Sequence, residues 1–452
     1  MSTRIRRRTL LAGLAAMPAL GLVGCGFDRT TAGPISTVDT LDFGNRLRIP
    51  ALAESTVDEA GVRVFRLGAT TGSVEFLAGV STPTWGYTDG RYDAGYLGPT
   101  LRAARGEQVR VIVENRLSEI TTVHWHGMHL PARYDGGPHQ PIDAGAQWQP
   151  EWRIDQPAAT LWYHPHPHGK TEGQVTRGLA GLFYLDDDTN PELPHRYGID
   201  DIPVILQDRS FDARGRFSTD RRAVTGVLGE KILVNGTYNP HLAVTTRRIR
   251  LRILNASTAR IYRLGFADDR EFALIATDSG YLPAPQQMRR LLLSPAERAE
   301  IVVDLLPGEQ PVLRSLPWDL GMMVPLTNGA GGNDHLDLLQ LRAARPLAEG
   351  GRLPDQMETS APVAVDQITA RRTFRLDGLD INGQQMEMSR IDTVVAANTT
   401  ELWTVTNSHN QPRNFHIHGV MFQIIPPGAT RPDPRLGWKD TVLLAAAKPS
   451  SC

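Results

Sequence analysis

The sequence predicts an all-β chain built as three Greek-key β-sandwich domains. Two observations carry that prediction: a threefold internal repeat, and alternation of apolar and polar residues within each copy. No long amphipathic helix competes with it. Each copy is an alternating strand, an Asn that ends it, a short loop and a second strand. Residues 107–127 read EQVRVIVENRLSEITTVHWHG, residues 247–266 read RRIRLRILNASTARIYRLGF, and residues 399–419 read TTELWTVTNSHNQPRNFHIHG. Asn115 precedes His124 by nine positions, Asn255 precedes Leu264 by nine, and Asn407 precedes His416 by nine. Strands of this kind, bounded by Gly, Pro and Asn, belong to sandwiches and barrels.

Length agrees with the repeat, since 452 residues correspond to about three domains of roughly 150 each. The expected domains are residues 45–187, 200–342 and 371–452. The linkers between them are the proline-containing stretches 186–201 and 342–370. A formal net charge of −1 gives no basic field for nucleic acid. Residues 1–25 form a targeting segment, and 26–44 a linker after it. Arg6, Arg7 and Arg8 precede an apolar run over residues 10–23, which is short for a membrane span of about 20 residues. The RRTLL run from Arg7 resembles a twin-arginine export signal. It places the protein in the periplasm or on the outer face of the cell membrane. The run LVGC ending at Cys25 resembles a bacterial lipobox, in which Cys25 becomes lipidated and is the only link to a membrane; the alternative is an ordinary cleaved signal. Cys452 is the only other cysteine, and two cysteines at opposite ends make no disulfide framework.

The outer copies carry His-x-His where the middle copy carries Leu264 and Phe266. In a strand, residues i and i+2 face one side, about 6–7 Å apart, so each pair aims two imidazoles into one space. Three such pairs occur: His124/His126, His164/His166 and His416/His418. Neutral imidazole suits zinc, copper, iron and nickel. Structural zinc sites favour Cys and His at other spacings, and a facial iron triad needs two His and a carboxylate. A histidine-rich site shared between domains therefore fits a copper cluster better. Pro165 and Pro167 exclude a helix and keep His164 and His166 on an extended backbone, with Gly169 ending the strand. His168 continues the same face, behind the ligands or at the rim rather than as a third ligand. Trp125, Trp162 and Tyr163 either wall the site or pack the core.

These residues make the chain similar to multicopper oxidases, the family of laccases, bilirubin oxidases and bacterial copper-efflux oxidases. The motifs are HWHG at His124, WYHPHPHGKT at Trp162, GLAGLFYL at Gly178, LVNGT at Leu233, NFHIHGVMFQI at Asn414 and GWKDTV at Gly437. The resemblance covers residues from about 45 to 444. It implies three cupredoxin-like domains with a trinuclear copper centre between the first and third. By resemblance His124 and His416 match the ligands of the type 2 copper. His126, His164, His166 and His418 match four ligands of the type 3 pair. Asp135, in RYDGG, matches an acidic residue that relays protons to dioxygen; a turn role before Gly136 is the alternative. The implied partners are dioxygen and a small reducing substrate: a phenol, an aromatic amine or a metal ion.

Two departures from the family pattern stand out. Relatives read HNFHIH where this chain reads RNFHIH, so Arg413 replaces a type 1 copper ligand, and a guanidinium has no lone pair to donate. The family's His-Cys-His segment, which supplies the remaining type 1 and type 3 ligands, is missing. His164 follows His126 by 38 residues, and the same step from His418 reaches position 456, beyond residue 452. The third domain is therefore expected to be incomplete, with the type 1 site lost. A copper-poor envelope scaffold, or a copper-sequestering protein without turnover, is the competing expectation.

Overall fold

The computed structural model describes residues 33–92, 95–218, 222–223 and 225–447. The export signal, Cys25 and Cys452 lie outside the described residues. The chain is all-β, with strands in several sheets. Its α-helices among the described residues are the short Thr171–Arg177 and Val324–Gly329.

The repeat is a repeat of structure as well as of sequence. In the first copy, Gln108–Asn115 runs parallel to Arg63–Leu77, with Ala69 opposite Asn115. In the second, Arg248–Asn255 runs parallel to Asp201–Phe211, with Leu206 opposite Asn255. In the third, Thr400–Asn407 runs parallel to Ile368–Asp377, with Leu376 opposite Asn407. Each Asn then makes the same three bonds. Its Oδ1 accepts from the amide two residues on, at 3.0 Å in every copy: Leu117, Ser257 and His409. Its Nδ2 donates to a carbonyl four or five residues on: Glu119, Arg260 or Gln411. A second Nδ2 bond, of 2.8–3.0 Å, reaches across to Ile142, Leu293 or Ala445. A short amide that caps its own turn while pinning a distant strand explains why Asn stands at this position.

The copies differ in what covers them. Gln108–Asn115 also pairs antiparallel with Gln147–Trp148 and Glu151–Arg153, and Arg248–Asn255 with Arg298–Asp304. Among the described residues nothing pairs with the far side of Thr400–Asn407. The first two copies close apolar cores, one around Phe65, Val111, Trp125 and Phe183, the other around Leu206, Ile253, Leu264 and Phe266. Among its described residues the third gathers a small aromatic group, Phe374, Trp403 and Phe415, with Phe374–Trp403 centroids 4.5 Å apart. Leu379, Ile391 and Val394 stay 85%, 81% and 77% exposed.

Three details depart from the sequence reading. The strand carrying His164 is Ala159–His164, so it ends there and not at Gly169; Pro165 lacks the N–H that would continue the ladder. The strand Leu336–Ala348 runs through the linker start placed at Arg342. Asn45–Arg46 pairs parallel with Pro240–Thr246, so residues placed at the start of the first domain border the middle unit's sheet.

Candidate metal centre

The strand His124–His126 pairs antiparallel with Ala159–His164, with His124 opposite His164 and His126 opposite Trp162. Alternation sends His124, His126, Trp162 and His164 to one face, while Trp125 and Tyr163 enter the core behind them. His166 lies just past the strand end, its amide donating to Thr122 Oγ1 at 2.7 Å. From the other end of the chain, Arg413–His416 pairs with Thr441–Leu444 and puts His416 opposite Thr441.

All six imidazoles converge. The His124 ring stacks on His418 at 3.9 Å between centroids, and His126 stacks on His416 at 3.8 Å. His164 lies 5.3 Å from His124, His166 lies 5.1 Å from His418, and His416 lies 4.9 Å from His418. Of the aromatic neighbours only Trp162 reaches the site, stacked on His164 at 4.1 Å. His168 is exposed.

Hydrogen bonds fix which nitrogen is free in five of the six rings, His166 being the exception. Carbonyls and carboxylates only accept, so the ring atom facing one carries the proton. His124 Nδ1 donates to the Asp135 carbonyl at 2.9 Å, and His416 Nδ1 to the Asp440 carbonyl at 2.8 Å. Both Nε2 atoms are left buried without a partner among the described residues. His164 Nδ1 donates to the Pro165 carbonyl at 2.9 Å, and His126 Nε2 to Asp440 Oδ1 at 3.1 Å. That leaves the lone pairs of His126 Nδ1 and His164 Nε2 facing each other at 3.4 Å. Two facing lone pairs repel unless a cation shares them. His418 Nδ1 donates to Asp135 Oδ2 at 2.7 Å, which frees its Nε2. The donor set thus fits a centre of imidazole-loving metal ions, as copper requires.

The electrostatics agree. Burial holds His126 and His164 well below the ordinary histidine range, and lowers His124. It brings His166 down to about 4 and His416 to about 3, and neighbouring imidazoles add to both effects. These rings are neutral near pH 7, the form that binds metal.

Burial alone would raise the Asp135 carboxyl; hydrogen bonds from His124 and His418 outweigh it and hold it below the usual carboxylate range. Its Oδ1 is buried and unpartnered. Asp135 also turns the chain, capping the 3-10 helix Ala132–Tyr134. Gly136 follows at φ +74°, where a Cβ would lie 1.7 Å from the Val123 carbonyl oxygen.

Sequence reasoning missed Asp440 and Thr441. Thr441 Oγ1 lies 3.2 Å from both His126 Nε2 and His416 Nδ1. The only signal was a charged Lys-Asp pair opening an otherwise apolar strand in GWKDTV. Arg413 does not join the cluster; its Nε is buried without a partner among the described residues.

Comparison with known proteins agrees with this geometry. The family described as multicopper oxidase matches residues 69–190 and 355–448. The chain is 32% identical over 405 residues to the multicopper oxidase mco of Staphylococcus epidermidis, covering 88% of this chain and 84% of that one. It is 36% identical over 376 residues to the cell division protein FtsP of Escherichia coli, covering 81% and 78%. The laccase-like multi-copper oxidase CueO of Ochrobactrum sp. superposes with a TM-score of 0.79 at 34% identity, over 88% of this chain and 91% of that one. An imidazole cluster drawn from both ends of the chain and these likenesses lead to one conclusion: the chain belongs to the multicopper oxidase family.

Proposed function

We propose that the chain is an exported oxidase-type copper protein whose six imidazoles hold a trinuclear centre. The first and third of its cupredoxin-like units carry them. The observation that supports this reading is the set of uncommitted lone pairs. His124 and His416 Nε2 would hold one ion, and His126 Nδ1 with His164, His166 and His418 would hold a pair. Bound copper would supply one-electron transfer and the reduction of dioxygen to water.

The residues supply the rest. Pro165, Asp135 and Asp440 orient the rings through their oxygens. Trp162 closes the site on the side of the middle unit. Asp135 stands where a proton must pass, bonded through Oδ2 to His418 with Oδ1 free. Four electrons from a phenol, an aromatic amine or a metal ion, with four protons, turn one dioxygen into two waters. Arg413 offers no lone pair for a type 1 copper, so electrons enter this centre slowly.

The test is copper reconstitution under anaerobic conditions, then metal analysis, oxygen consumption and stopped-flow oxidation of an electron-rich dye. The expected result is two to three copper ions per chain, no intense blue band, and slow dye oxidation. Less than one copper per chain sinks the reading. That outcome would favour the second one, a copper-poor envelope scaffold, which the likeness to the cell division protein supports.

A further inference from the structure

The buried Asp440 touches all three units at once. Its Oδ1 accepts from His126 Nε2 of the first unit at 3.1 Å. Its backbone carbonyl accepts from His416 Nδ1 of its own unit at 2.8 Å. From the middle unit, Arg298 closes a two-pronged bond on the carboxylate, Nη1 to Oδ1 at 2.8 Å and Nη2 to Oδ2 at 2.5 Å. Both side chains are fully buried. Arg298 is itself held by the carbonyls of Thr160 and Asp278.

The segment bearing Asp440 is fastened to the middle unit along its length. Lys439 pairs with Asp278 and Glu297 at 3.0 and 2.9 Å. The Trp438 carbonyl accepts from Thr277 Oγ1 and the Ser279 amide. Gly437, at φ +65°, lies where a Cβ would meet Thr277 Oγ1 at 2.3 Å.

We propose that Asp440, locked by Arg298, is the positioning residue that makes copper affinity depend on docking of the third unit onto the middle one. It rests on the copper-centre reading above. The carboxylate takes the Nε2 proton of His126 as a hydrogen bond and so leaves Nδ1, the atom facing His164, free to bind. The middle unit, none of whose described residues joins the cluster, acts on the metal through this lock.

Asp440→Asn tests it, because an asparagine of the same shape must turn an N–H at either Arg298 or His126. Arg298→Lys keeps the charge and loses the fork. The first readout is the ring-nitrogen NMR of His126 in metal-free protein. Wild type should carry the proton on Nε2, and Asp440→Asn should move a measurable fraction to Nδ1. The second is copper retention against a graded chelator, where Asp440→Asn should bind roughly 10–100-fold more weakly and Arg298→Lys should fall between. Native near-ultraviolet circular dichroism certifies that each variant is folded.

Folded variants with wild-type tautomer and wild-type copper affinity overturn the proposal. So do variants that melt earlier while tautomer and affinity stay unchanged, since that marks a purely structural role. If wild type takes up no copper, the copper-centre reading fails, and the metal-free tautomer still decides the role of Asp440.

Discussion

The first and third units carry the same sequence device, an Asn-terminated strand leading to His-x-His, and place it in opposite circumstances. Around His124 the strand has Ala159–His164 as its one strand partner and is backed by a closed core of Trp125, Trp152 and Phe183. Around His416 the strand likewise has one partner among the described residues, but no such core lies behind it, and its geometry is held by Asp440, Lys439 and Arg298 across a unit boundary. Four of the six imidazoles thus stand on their own core, and the other two are brought in through buried charge. A buried ion pair is strongly specific in placement and weak as net stabilisation, whereas an apolar core supplies both.

Hydrogen exchange should break the two units apart most visibly. Amides in Gln108–Asn115 should open with a free energy larger than those in Thr400–Asn407 by on the order of 3 kcal/mol, roughly a hundredfold in protection. Equal protection would mean that the third unit is as well closed as the first.

Acid gives the next effect. The imidazoles of the unfolded chain bind protons below about pH 6.5, whereas the folded ones resist until about 4 for His166 and about 3 for His416. Between those limits the unfolded state binds more protons, so stability present above pH 6.5 is lost as pH falls. The melting temperature of metal-free protein should drop from pH 7 to 4, with a shallower slope in His166→Gln. A flat profile would show that burial in the cluster does not reach the titration.

The smallest effect lies in the asparagines. Asn115→Ala and Asn255→Ala remove three bonds and orphan buried groups, and should cost about 2 kcal/mol or more by denaturant unfolding. Asn407→Ala makes the same deletion in a half-exposed setting and should cost under about 1 kcal/mol. Equal losses in all three would mean that the third turn is as well sealed as the other two.

Much of this was legible in the sequence because the informative contacts are local. The Asn turn spans a few residues, and His-x-His geometry follows from strand pitch alone. The facing of Trp125, Trp162 and Tyr163 was open because it depends on cross-strand register: Trp162 shares the histidine face and the other two do not. The role of Asp440 was hidden for a different reason. It meets His126 across 314 positions, and nothing in a run of sequence marks a carboxylate that will be matched by a distant arginine. The end of the strand at His164 was misjudged because extended backbone after Pro165 need not remain in a ladder.

The middle unit has Leu264 and Phe266 where its siblings have histidines, and both lie sealed in its interior. A unit that closes on hydrocarbon needs no ion to finish folding. It can therefore set first, like a mould, and offer Arg298 as a ready-made socket before any copper arrives. The order of assembly would then be written in the one repeat that carries leucine and phenylalanine in place of histidine.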